Sequence, residues 1–142
     1  MVQPVQPVAL LVDNSFEESL LFRLSMKKAG VDLDLIVLPN AQRFRDYIEG
    51  KNVYSDRFIF PLPAVIFLAA QVDYEPSTVL QNWLHERDEG YDVPIIVLSV
   101  SLDPKIFENA KTCGATACFE KPVSRENWNV VRSLLSERHL CA

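Results

Sequence analysis

Five short apolar runs, each about one strand long and each separated from the next by a polar stretch of helical spacing, leave this chain few folds to adopt. The runs fall at residues 8–12, 33–38, 64–69, 93–99 and 115–119. The first, third and fourth are continuously apolar, as strands covered on both faces of a parallel sheet are. The second alternates, with Leu33, Leu35 and Val37 on one side and Asp32, Asp34, Ile36 and Leu38 on the other, which predicts a half-exposed edge.

Helix signals fill the gaps. Gly30, Gly50, Gly90 and Gly114 each follow a polar stretch and precede an apolar run, where a helix closes on a left-handed residue. Asn40 and Asp103 read as N-caps, and Pro76 suits a first helical position because its missing N–H has no partner there. Helices are predicted over residues 15–29, 40–49, 75–89 and 103–113, with a fifth starting near Ser124 and burying Trp128, Val131 and Leu135. Parallel neighbours joined by helices need right-handed crossovers, so the expected architecture is a doubly wound α/β sheet of five parallel strands, order 2-1-3-4-5, flanked by five helices. The connection over residues 51–63 carries Tyr54, Phe58, Phe60, Pro61 and Pro63 and is expected to be an ordered loop packed on the domain. Residues 1–7 read as a disordered lead-in, and residues 8–140 as a single domain with no output domain after it.

Composition narrows the function. With 49% hydrophobic and 23% charged residues among 142, one substantial core fits and a second domain does not. A net charge of -5 disfavours nucleic acid and anionic lipid as partners, and no apolar run approaches the ~20 residues that span a bilayer. Without a positive flank and apolar stretch near Met1, the expected location is the cytoplasm. Cys113, Cys118 and Cys141 form no Cys-x-x-Cys pair and read as reduced thiols; His85 and His139 lie beside no second ligand and read as surface residues, so no metal centre is expected. Lys27-Lys28 and the arginines Arg43 and Arg45 read as solvated helix faces. There is neither a glycine-rich phosphate loop nor a nucleophile elbow, and an enzyme is not expected.

In a doubly wound sheet, chemistry gathers at the carboxyl ends of the strands beside the switch point. Those ends carry Asp13-Asn14, Ala69-Ala70-Gln71, Ser99 and, after the fifth run, Lys121-Pro122. The order LLVDNS, an apolar third run, PIIVLS and GATACFEKP resembles the receiver domains of bacterial two-component response regulators, the CheY-like (flavodoxin-like) fold, over nearly the whole chain. The stretch YIEGKNVYSDRFIFPLP is similar to single-domain receivers found with bacterial phytochromes, which carry comparable Tyr-x-Asp-Arg and Phe-Pro-Leu-Pro sequences.

The resemblance implies an acidic pair after the first strand, a phosphorylated aspartate ending the third, a hydroxyl ending the fourth and a Lys-Pro after the fifth. Asp13, Ser99 and Lys121-Pro122 match; Asn14 replaces the second acid, and Ala69 stands at the acceptor position. An alanine methyl has no lone pair with which to take a phosphoryl group, and Mg²⁺, which the relatives bind through several carboxylates, is expected to bind weakly or not at all. Asp73, four positions on, is the alternative acceptor. Lys121 is expected to pair with Asp13, since a lone ammonium at a partly buried strand end is costly. A cis Lys121–Pro122 bond is implied by the resemblance. So is a switch residue at Cys118, which reads as a small core residue, with Phe119 on the opposite face.

The expected function is that of a degenerate receiver acting by phosphorylation-independent protein contact. The relatives imply a sensor histidine kinase or phytochrome-like partner. A homodimer is expected through the face of the fourth helix, fifth strand and fifth helix, using residues such as Lys105, Glu108, Lys111, Asn129 and Arg132. One alternative is a sensor of a small anion or metabolite in the vacated acid pocket. The other is a conventional phosphorelay regulator acting through Asp73.

Overall fold

All five apolar runs become strands of one parallel sheet in the computed structural model, which describes residues 6–87, 92–101 and 103–137. The strands are β1 (Val8–Val12), β2 (Asp34–Leu38), β3 (Val65–Ala69), β4 (Ile95–Ser99) and β5 (Ala117–Glu120). Their order is 2-1-3-4-5, with Val12 level with Leu38 and Leu68, Ala69 with Leu98, and Ser99 with Glu120. The helices are α1 (Phe16–Lys28), α2 (Ala41–Glu49), α3 (Ser77–His85), α4 (Pro104–Thr112) and α5 (Arg125–Glu137). This is the doubly wound α/β fold expected from the alternation. Among the described residues no helix is long and apolar enough to cross a membrane.

The period-two alternation of each strand divides the core into two clusters. Leu10, Val12, Ile66, Leu68 and Val97 meet Phe44, Tyr47 and Leu80 on the side of α2 and α3. Ala9, Leu11, Phe67, Ile96 and Leu98 meet Phe22 and Met26 of α1 and Trp128, Val131 and Leu135 of α5 on the other. Phe22, Phe67 and Trp128 pack edge to face there, with ring centroids 4.9–5.8 Å apart.

Asn40 and Asp103 cap α2 and α4 as expected, accepting the N–H groups of Arg43 and Lys105. Three local expectations need correction. Gln6 and Pro7 belong to the folded edge, because the Pro7 carbonyl accepts the Asp34 N–H at 2.9 Å and Gln6 bonds Asp32. α3 starts two residues later than predicted because Glu75–Pro76 pair antiparallel with Gln71–Val72 in a small ribbon, which leaves Pro76 extended at the N-cap. The second strand is the half-exposed edge expected, with Asp34 exposed and Ile36 and Val37 half-buried, but Leu38, on the side of Asp32 and Asp34, is buried. The third helix also stops at His85, with Glu86 and Arg87 in a turn, short of the predicted end at 89. Gly90, His139, Cys141, residues 1–5 of the lead-in and residues 88–89 lie outside the described residues.

The 51–63 connection is ordered by an aromatic cluster. Tyr47, Tyr54 and Phe60 stack with centroids 5.0–6.1 Å apart, and the Tyr47 hydroxyl donates to the Pro61 carbonyl at 2.7 Å. Phe58 departs from expectation, standing 96% exposed while Arg57 turns inward to the Ile48 and Phe60 carbonyls. Burial pushes the Tyr47 phenol up to about 12, opposed by the nearby Arg57 charge. A phenol whose folded value lies above its unfolded value near 10 binds its proton more tightly when native. Its stabilisation is therefore full below about pH 10 and lost as pH rises toward 12. Urea midpoints followed across that window are expected to fall for the wild type and to fall less for Tyr47→Phe.

Gly114 closes α4 at φ +97, and a Cβ there would lie 2.3 Å from the His85 ring, whose Nε2 rests 3.1 Å from the Cys113 carbonyl. Gly114→Ala is thus expected to lose about 2 kcal/mol in urea denaturation, through backbone strain and displacement of His85.

Candidate functional site

The carboxyl ends of β1, β3 and β4 and the turn after β5 converge at one edge of the sheet. Asp13 follows β1 and is 5% exposed. One of its carboxylate oxygens accepts the Ser15 N–H at 2.9 Å, while the other accepts from Lys121 Nζ at 2.7 Å. Lys121 is carried to this position by a backbone bond from its N–H to the Ser99 carbonyl at 2.8 Å, and its peptide bond to Pro122 is cis. The ion pair expected between strand ends 108 residues apart is therefore present, with both side chains largely shielded from water.

Ala69 ends β3 and is 4% exposed, its methyl packed in the cluster that contains Val72 and Leu80. Since Val12 is level with Leu68, one further step sets Ala69 level with Asp13. Ser99 is buried, and its hydroxyl accepts the Ser101 N–H at 3.0 Å. Asn14 is exposed. Two carboxylates lie near Lys121 Nζ: that of Asp13, already paired at 2.7 Å, and that of Glu18 of α1, at 3.9 Å. Glu18 was not singled out from sequence, although its place in the first turn of a helix following Asp13 was a signal for it.

Asp73 lies at the turn of the small ribbon with φ 56, and its carboxylate accepts the Ala41 N–H at 3.1 Å. It serves the first turn of α2, where an anion also meets the positive end of the helix dipole. Cys118 is half-buried, with Sγ directed at the Phe107 carbonyl, and burial pushes its thiol up against the opposing pull of Lys111. That environment keeps the thiol protonated. Phe119 packs in the opposite cluster, as strand alternation requires.

Beside the ion pair lies a pocket of about 250 Å³, walled mainly by Leu11, Leu21, Phe22, Leu98 and Val123, with Asp13, Glu18 and Lys121 at its polar side. Ser25 joins its wall and is a second residue missed from sequence. Ser25 Oγ accepts from the Trp128 indole at 2.8 Å and donates to the Val123 carbonyl at 3.0 Å, tying α1, α5 and the turn after Lys121-Pro122 together.

The five residues named for a fourth-helix, fifth-strand and fifth-helix face do not share one role. Lys105, Glu108 and Lys111 are exposed on α4. Arg132 instead donates to Asn129 and to the Ala29 carbonyl at the end of α1.

No protein-family model matches the chain, and no curated protein does. Solved structures do. A response regulator in red light signaling of R. palustris is 24% identical, with 91% of each chain covered and a TM-score of 0.78. The bacteriophytochrome response regulator AtBRR is 19% identical over 94% of each chain, also at 0.78. The phosphorylated cyanobacterial phytochrome response regulator RcpA is 12% identical over 93% of each chain, at 0.74. The fold is therefore that of response regulator receiver domains, including regulators named for bacteriophytochromes and a cyanobacterial phytochrome.

Proposed function

We propose that this chain is a degenerate receiver of a two-component pathway, a cytoplasmic signalling module that works by protein contact and accepts no phosphoryl group. One observation carries the reading: Ala69 holds the strand-end position level with Asp13, and it presents a methyl group where the chemistry needs a carboxylate oxygen. The neighbouring ion pair supports it. Lys121, the cation that would meet an incoming phosphoryl group, is neutralised by Asp13 at 2.7 Å.

The residues present do not fit a Mg²⁺ ion. Both Asp13 oxygens are engaged, Asn14 brings no charge, and Ala69 brings no donor. No catalytic role is assigned to any residue, and Cys118 acts as packing rather than as a switch.

The partner proposed is a sensor histidine kinase or a phytochrome-like protein, by analogy with the regulators that share the fold. Self-association is part of the same reading. Nucleic acid and membrane are not proposed as partners, given the net charge of -5. An anion sensor finds less support, because an anion in the pocket beside Lys121 would face Asp13 and Glu18 as well.

Calorimetric titration of the chain into a bacteriophytochrome kinase, with and without beryllofluoride, tests the reading. Equal affinities are expected. A shift of about tenfold, 1.4 kcal/mol, on adding the phosphoryl mimic would contradict it.

A further inference from the structure

α1 is apolar on both sides, and the outer side has no partner in the fold. Phe22 and Met26 face the core. Turned outward are Phe16, Leu20 and Leu24, at 83%, 48% and 54% exposure, one above the other at a spacing of four, with Leu21 beside them at 57%. A surface helix normally presents charge there, and a contiguous exposed stripe marks an interaction surface.

The charges framing the stripe indicate what covers it. Glu17 lies in the first turn of α1, and Lys27 and Lys28 in the last; all three are exposed and have no partner among the described residues. The stripe is thus acidic at one end and basic at the other. A parallel helix of the same kind would set like charges together. An antiparallel copy related by a two-fold axis at the level of Phe22 sets Leu20 against Leu24 and Glu17 against Lys27, twice, and opposes the two helix dipoles favourably.

We infer that the outer face of α1 is a self-complementary dimer surface whose occupant is α1 of a second copy of this chain. This deepens the self-association in the proposed function and moves it away from the α4–β5–α5 face. It does not rest on the absence of phosphorylation. A 13-residue helix is about 20 Å long, so the contact is small and the association weak and reversible, in the micromolar range. Glu18, one residue from this surface, also approaches Lys121, which places the interface beside the strand-end site.

Sedimentation equilibrium of the full chain, from micromolar to millimolar concentration, tests the inference. The wild type is expected to show a monomer–dimer equilibrium. Leu20→Glu and Leu24→Glu are each expected to weaken association at least about tenfold, with circular dichroism and urea midpoint unchanged because both side chains lie outside the core. Glu17→Lys and Lys27→Glu are each expected to weaken it when alone. An equimolar mixture of those two variants is expected to restore it, since the mixed dimer carries opposite charges at both contacts. A wild type that stays monomeric, a dimer indifferent to the leucine substitutions, or a mixture that does not recover would overturn the inference. A monomeric wild type would leave the kinase-binding comparison untouched, and a beryllofluoride-dependent kinase affinity would leave the dimer untouched.

Discussion

Lys121→Met is expected to destabilise the fold by about 3 kcal/mol, because it strands the Asp13 carboxylate without its cation at a position only 5% exposed. The Ser15 N–H remains as a donor to that carboxylate, but one neutral hydrogen bond does not replace an ion pair at 2.7 Å. The cause lies in the unpaired charge rather than in lost contacts. Asp13→Asn combined with Lys121→Met should therefore recover most of the loss, and urea denaturation of the two single variants and the double variant reads the coupling directly. Additive losses would mean that the two groups do not act as a pair.

Trp128→Ala is expected to cost about 4 kcal/mol, at the upper end of core truncations. The indole is 1% exposed, packs against both Phe22 and Phe67, and donates to Ser25 Oγ at 2.8 Å. Trp128→Phe separates the contributions. It keeps much of the packing and removes the N–H bond, so a loss nearer 1–1.5 kcal/mol is expected. Because Ser25 also holds the Val123 carbonyl, the same substitution loosens the turn that presents Lys121. A Trp128→Phe variant as damaged as Trp128→Ala would show that the bond to Ser25, and not the ring packing, holds α5 in place.

The strand-end site was legible because its parts are set by topology. With the third run ending at Ala69 and the fifth preceding Lys121, the parallel sheet brings Asp13 within reach of that lysine, whereas the approach of Glu18 depends on how α1 packs. The cis Lys121–Pro122 bond followed from the resemblance and not from any local pattern. Helix caps at Asn40 and Asp103 were legible for a local reason, since each side chain bonds an N–H two or three residues on.

What escaped the sequence depends on tertiary context. The antiparallel pairing of Glu75–Pro76 with Gln71–Val72 competes with helix formation at Pro76, and nothing local announces it. Phe58 resembles Tyr54 and Phe60 as a residue type, yet Arg57 fills the inward position and turns Phe58 out. On α1, apolar residues occur on both faces, so periodicity alone did not separate Phe22 and Met26, which pack, from Phe16, Leu20 and Leu24, which do not. Arg132 is expected on the dimer face, and its bond to the Ala29 carbonyl depends on how α5 lies against α1.

The proposed loss of phosphoryl acceptance rests on the chemistry of one side chain, the methyl of Ala69. Intact-protein mass spectrometry after incubation with acetyl phosphate and Mg²⁺, on the wild type and on Ala69→Asp in parallel, tests that loss directly. The wild type is expected to keep its mass unchanged, while the variant, which regains a carboxylate nucleophile, gains a phosphoryl group. A stoichiometric gain on the wild type, mapped by fragmentation to Asp13, Asp73 or any other carboxylate, would contradict the account.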